Sequence, residues 1–249
     1  DWSSDVCSSD LFSTITDDFS EQLGQKLQHG DLLSSRGSIA QDNASLLAAF
    51  SLDPAVEDAG LDAVQIREDG DIYFSVNSNL FSKTLGGALG HGDLLSSQGC
   101  VVRRNADLLA KFSPPDPKHD YGLDAFYIWP GDREIWFSVE EGFESKNPDV
   151  GTVMPGDLLS DFGAVIYRNL DLLAVFSPLE DLADFGLDAL YVVTDSTPLP
   201  PSRPALQFSA FTPEQPAGTL SLEWQGAGRV FQLEKANTVL GPYQPLSPI

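Results

Sequence analysis

The chain has 249 residues, of which 42 % are apolar and 20 % charged, a balance that builds a folded interior rather than a disordered polymer. That length makes one large domain or one and a half. The formal net charge is −23, or −20 with Asp1, Asp5 and Asp10 set aside, which excludes a nucleic-acid backbone or an anionic lipid surface as partner. No apolar run is long enough to cross a membrane, and so strong an acidity suits a salty or calcium-containing exterior, so an extracellular or cell-surface location is expected.

Residues 1–11, DWSSDVCSSDL, show no periodicity and resemble translated sequencing-adapter read-through. They are set apart from the fold, and the true N-terminus, with any signal peptide and further repeats, is expected to lie upstream. From Phe12 the chain writes one module three times, over about 12–73, 74–136 and 137–195. Gly-Asp-Leu-Leu-Ser starts at Gly30, Gly92 and Gly156, and Gly-Leu-Asp-Ala at Gly60, Gly122 and Gly186, both spaced by 62 and then 64 residues. A fixed period of this size means stacked supersecondary units.

Each period predicts four short strands. In the clearest copy they are Leu123–Trp129, with bulky residues on both faces, then Ile135–Val139 after a Pro-Gly turn. The equivalents of the last two are Asp93–Ser96 and Val101–Arg104, joined by a tight turn ending at Gly99 and preceded by a loop of roughly sixteen residues. The result is a four-stranded antiparallel meander. Asn43, Asn105 and Asn169 then lead Asn-x-x-Leu-Leu-Ala-x-Phe, which reads as an Asn-capped helix of about two turns. So short a helix is unstable alone and must bury Leu108, Leu109 and Phe112 against the sheets. Residues 196–206 read as a proline-rich, stiff linker. Beyond it, Thr219–Trp224, Arg229–Lys235 and Tyr243–Leu246 read as strands, with Trp224 as a core tryptophan.

Units of this period suggest propeller blades. They resemble the GLDA/GDLLS tandem repeats of large secreted bacterial proteins with propeller-like domains, over residues 12–195. The stretch LEWQGAGRVFQLEKA…GPYQPL resembles fibronectin-III-like or immunoglobulin-like modules, truncated here because residues 207–249 are less than half of such a sandwich. The expected fold is therefore all-β: propeller-like meanders in an incomplete, open ring, short helical turns between units, and a partial β-sandwich. The last copy stops after its first strand and the first copy starts at its second, so the two ends complement each other within one blade.

Aspartates recur at fixed register in all copies: Asp58, Asp120 and Asp184; Asp62, Asp124 and Asp188; and Asp31, Asp93 and Asp157. The starts of the first and third strands lie at the same end of a meander, which gathers these carboxylates on one face. Two readings stand side by side. Each Asp accepts backbone N–H bonds and holds a strand entry, or Asp58, Asp62, Asp120, Asp124, Asp184 and Asp188 supply hard oxygens to Ca²⁺, the one cofactor considered. An ionised Asp124 beside Phe126 needs some donor or cation.

Threefold recurrence argues against catalysis, and no nucleophile elbow, zinc motif or phosphate loop is present. No catalytic residue is assigned. His29, His91 and His119 read as solvated loop residues, Glu140 and Glu141 as neighbours pointing apart, and Trp129, Trp136, Tyr73 and Tyr127 as blade packing. Cys100 stands where other copies carry Ser38 and Ala164, so it is a small strand residue. The favoured function is a non-catalytic binding or scaffold module for a protein or carbohydrate ligand. The alternatives are part of a secreted hydrolase or lyase, or a calcium-stabilised repeat.

Overall fold

A computed structural model describes residues 11–67, 69–131, 133–174, 176–177 and 184–192, and the backbone of 207–214, 219–225, 234–235 and 244–245. It falls into two compact bodies, one holding residues 11–128 and 134–192, the other residues 129–133 and the C-terminal segment. Cys7 and the linker expected at 196–206 lie outside the described residues.

The architecture is all-β, with a few short helices. The first sheet is β1 (Leu11–Phe12), β4 (Leu32–Ser34) and β5 (Ser38–Gln41), with the hairpin β2 (Asp18–Ser20) and β3 (Gln25–Leu27) inserted after β1. The second is β6 (Val64–Ile66), β7 (Ile72–Phe74), β10 (Leu94–Ser96) and β11 (Cys100–Arg103), with β8 (Leu80–Ser82) and β9 (Gly87–Leu89) as its hairpin. The third is β12 (Ala125–Ile128), β13 (Ile135–Ser138), β16 (Leu158–Ser160) and β17 (Ala164–Tyr167), carrying β14 (Phe143–Glu144) and β15 (Thr152–Val153). All pairings are antiparallel and sequential, as the meander requires. No closed barrel or ring forms among the described residues.

Two features depart from the sequence reading. The sixteen-residue loop is a hairpin in every copy, and its strands, two or three residues long, are too short to show an alternating pattern. Leu11, placed outside the repeat, pairs with Ser34 in β1.

Each helix closes a sheet: α1 (Asn43–Leu47), α2 (Asn105–Leu108) and α3 (Asn169–Ala174). The helix cap is not the asparagine. Asp42 caps α1 by accepting from Ser45 N, and Arg104 occupies the same place before α2. The asparagine is the first helical residue, and it is buried. The apolar stripe behaves as expected, with Leu108, Leu109 and Phe112 sealed from solvent.

The core sits at the seams between copies rather than within them. Leu46, Leu47 and Phe50 of the first copy pack with Phe74, Leu89 and Leu95 of the second. Leu108, Leu109 and Phe112 pack with Phe137, Val153 and Leu159 of the third. Phe112 meets Phe137 edge to face at 6.3 Å. Trp136 is buried in β13 and Tyr73 packs against the same core, in line with blade packing.

In the C-terminal segment, β18 (Gln207–Glu214) and β19 (Thr219–Gln225) form a long hairpin, and β20 (Glu234–Lys235) pairs with β21 (Gln244–Pro245). The first of these strands was not expected because Pro213 interrupts its pattern; a two-stranded ribbon tolerates it at an edge. Trp224 lies on β19, with its side chain outside the described residues.

Because the seam is the core, Phe112→Ala is expected to cost about 3–5 kcal/mol, whereas Phe81→Ala, half exposed on β8, stays within about 0.5 kcal/mol. Urea unfolding of both variants checks the contrast.

Candidate functional site

The recurring polar residues assemble at one junction per copy, where the Gly-Asp turn, the helix start and the Gly-Leu-Asp-Ala entry converge. In the second copy, Asn105 Nδ2 donates to the carbonyls of Gly92 (3.4 Å) and Gly122 (3.0 Å), and its Oδ1 accepts from Tyr121 N (3.0 Å). Asn43 does the same with Gly30, Gly60 and Ala59, and Asn169 with Gly156, Gly186 and Phe185.

Two aspartates flank each asparagine. Asp93 Oδ1 accepts from Asn105 N (3.0 Å) and its Oδ2 from Gly90 N (2.8 Å); Asp31 and Asp157 repeat the pattern. Asp120 Oδ1 accepts from Gly92 N (2.9 Å) and Gly122 N (3.1 Å), and Asp58 and Asp184 bridge the equivalent glycines. Arg104 and Arg168 add a guanidinium to Asp93 and Asp157 at 2.6 Å; the first copy has Asp42 there instead. A side chain at Gly92 would meet Asp120 Oδ1 at 2.2 Å and Asn105 Nδ2 at 2.3 Å, so the glycine of Gly-Asp-Leu-Leu-Ser is set by this crowding. The carboxylates of Asp58, Asp120 and Asp184 are thus engaged by backbone N–H groups.

A second recurrence, legible as a serine inside each apolar strand, carries the seams. Ser13, Ser75 and Ser138 donate to the carbonyls of Leu61, Leu123 and Leu187 at 2.9–3.0 Å. Gln65 adds a two-way bond to the backbone of Ile128.

Asp62, Asp124 and Asp188 form a different group. Asp62 N bonds to Ser75 O, and the Ser75 hydroxyl bonds to the residue before Asp124, so one serine links the entries of two successive aspartates. Burial, then the charge of Glu140, pushes the Asp62 carboxyl up to about 6, and Asp62 Oδ2 is buried without a hydrogen bond. Burial, followed by Glu140, Asp62 and Asp188, pushes Asp124 up to about 7, against the opposing pull of His91. Burial and the neighbouring acids thus both disfavour the charge on the half-buried Asp124 carboxyl.

The histidines are paired rather than merely solvated. His91 Nδ1 lies 3.1 Å from Glu140 and its Nε2 3.7 Å from Asp120. Burial disfavours its charge, but those two carboxylates outweigh it and hold the imidazole above its ordinary value. His119 pairs with Glu141 at 2.8 Å, so Glu140 and Glu141 do face different partners. His29 contacts Asp17 (3.0 Å) and Asp58 (2.8 Å), the three offering ligand atoms within 4.8 Å of one another. Asp17 is also bound by Lys26, which, with His29, holds its carboxyl far below the usual range. Cys100 is a free, exposed thiol on β11.

No family model, curated protein or solved structure matches this chain.

Two predictions follow the geometry. Asn105→Ala leaves two carbonyls and one N–H buried without partners and is expected to cost about 3 kcal/mol, read as a fall in urea midpoint at unchanged slope. The acidic row makes stability depend on pH. The folded carboxyls titrate near 6 and 7, whereas the unfolded ones titrate near ~3.9. The folded form therefore holds protons that the unfolded chain releases. The stabilisation is full below the unfolded value and is lost as pH rises through the folded values. Asp124→Asn is expected to match the parent at pH about 3, below the unfolded value, and to exceed it by about 1–2 kcal/mol at pH about 8, the figure discounted for solvent screening. An equal difference at both pH values would contradict the assignment.

Proposed function

We propose that this chain is a non-catalytic, propeller-type repeat module of the cell exterior or surface that serves as a scaffold or binding platform for a protein or carbohydrate ligand. The observation that carries the reading is recurrence. Asn43, Asn105 and Asn169, with the two aspartates beside each, make the same bonds to the same backbone positions in every copy. A reacting group is needed once, and a joint is needed in every repeat. The strong negative charge favours a cationic ligand surface and keeps nucleic acid away.

A second reading, a secreted hydrolase or lyase, draws on one place where the copies differ. Burial and then Glu140 push the Asp124 carboxyl up to about 7, with His91 paired to Glu140 nearby, and a carboxyl raised toward neutrality suits acid–base work. Calcium stabilisation is the third reading, in which carboxylates among Asp58, Asp62, Asp120, Asp124, Asp184 and Asp188 supply hard oxygens to a cation.

One set of measurements separates the three. Arrays of extracellular proteins and oligosaccharides are expected to show saturable binding with no ligand consumed. Turnover of any polysaccharide, ester or peptide across a pH series, lost in Asp124→Asn, would replace the scaffold reading with the enzymatic one. Melting at pH about 8 with calcium and with chelator tests the third; a midpoint that does not move removes it.

A further inference from the structure

One position breaks the repeat although the groups around it are kept. Arg104 and Arg168 precede the buried asparagines of the second and third copies, and Asp42 stands at that place in the first. The two arginines make the same bonds. Arg104 Nη1 donates to Asp93 Oδ2 at 2.6 Å and to the carbonyl of Ala88 at 2.8 Å. Arg168 Nη1 donates to Asp157 Oδ2 at 2.6 Å and to the carbonyl of Thr152, the equivalent of Ala88, and its Nη2 donates to the carbonyl of Val150. Both carboxylates are sealed from solvent, with Asp93 4 % and Asp157 1 % exposed.

The first copy keeps the receiving groups and lacks the guanidinium. Asp31 is 2 % exposed, and it accepts from Asn43 N and Gln28 N as Asp93 accepts from Asn105 N and Gly90 N. The third bond, the one from the arginine, has no counterpart at Asp31 among the described residues. In its place lies an open recess of about 430 Å³, lined by Lys26, Gln28, Asp31, Gln41 and Asp42. Lys26 matches Ala88 and Thr152 in the repeat, and its ammonium is drawn to Asp17 at 2.6 Å. Asp42 adds an exposed second carboxylate, whose two oxygens each hold one bond from Ser45. A buried carboxylate with a spare lone pair is a strong acceptor for a charged donor.

The same place faces solvent in the inner copies. Arg104 and Arg168 keep 43 % and 35 % of their side chains exposed, although a preceding copy packs beside each. Every acceptor these arginines use belongs to their own copy. The opening at Asp31 therefore follows from the residue at position 42, whatever precedes the first copy.

We infer that this recess receives an arginine side chain presented by an exposed segment of a partner protein. The incoming guanidinium takes the place that Arg104 holds in the second copy, with Asp31 Oδ2 and the Lys26 carbonyl as acceptors and Asp42 beside it. A planar fork bonds a carboxylate and a carbonyl together, which a single ammonium matches less well. The inference rests on the scaffold reading and narrows its ligand to a protein with an accessible arginine.

The test is calorimetric titration of the full chain with a blocked Gly-Arg-Gly peptide and its Gly-Lys-Gly counterpart, at two salt levels. The arginine peptide is expected to fill one saturable site, more weakly at high salt, and the lysine peptide to bind about tenfold less well or worse. Asp42→Arg writes the repeat's own arginine into the recess and is expected to weaken peptide binding by about tenfold or more. Arg104→Asp copies the first recess into the second copy and is expected to raise the stoichiometry from one to two. Both helix starts already occur with either residue, so both variants are expected to melt cooperatively. No saturable arginine binding at millimolar peptide overturns the inference. Equal binding of the two peptides, undiminished binding in Asp42→Arg, or a single site in Arg104→Asp overturns it too, leaving only general attraction to an acidic surface. Failure here leaves the scaffold reading standing, since the arrays can still reveal another ligand. Substrate turnover removes that reading and leaves the arginine site to be judged by titration.

Discussion

The interaction on which the structure depends is the buried carboxamide at the start of each helix. Three pieces of backbone, namely the Gly-Asp turn, the helix start and the Gly-Leu-Asp-Ala entry, meet where water cannot reach them. Their N–H and C=O groups need partners, because a buried unsatisfied group costs about 1–3 kcal/mol. Asn105 donates twice and accepts once there, and neither a carboxylate nor an aliphatic side chain can do both. Asp93 and Asp120 complete the joint by accepting the remaining N–H groups. The glycines follow from the crowding this creates, so the most visible sequence markers are consequences of one polar joint.

The joint explains why the hydrophobic core lies at the seams. Each copy presents a short helix and a sheet with apolar residues on both faces, and neither is covered from within. Phe50 and Phe112 are buried only because the next copy's hairpin lies over them. Stability in such an array is a sum of nearest-neighbour contacts, and the terminal faces are the exceptions. Phe12, equivalent to Phe74, and Phe176, equivalent to Phe112, are exposed where their counterparts are buried.

Proximity of like charges is the other cost of stacking. Repetition places Asp62 and Asp124 in successive positions beside Glu140, and burial compounds the repulsion. The titration of both carboxyls rises in response, and His91, whose charge is favoured by Asp120 and Glu140, opposes the rise. The strongly acidic composition thus also places two carboxyls, Asp62 and Asp124, whose titration is raised toward neutral pH.

Much of the fold was legible in the order of residues. The period, the four strands of the second and third meanders, their antiparallel pairing and the burial of Leu108, Leu109 and Phe112 follow from spacing and alternation, which are local properties. The threefold aspartates and the likelihood of backbone bonding for Asp58, Asp120 and Asp184 were legible too. The hairpin in each long loop was not, because strands of two or three residues are too short to carry a periodic signal. Asn105 read as a helix cap because a cap and a joint use the same residue before the same helix; only the arrival of Gly122 and Tyr121 from seventeen and sixteen residues away distinguishes them. The raised titration of Asp124, the pairing of His91 with Glu140 and the bareness of Phe176 beside the burial of Phe112 were decided by tertiary structure alone. Each depends on what a neighbouring copy brings within a few ångströms, and identical local sequence cannot record that.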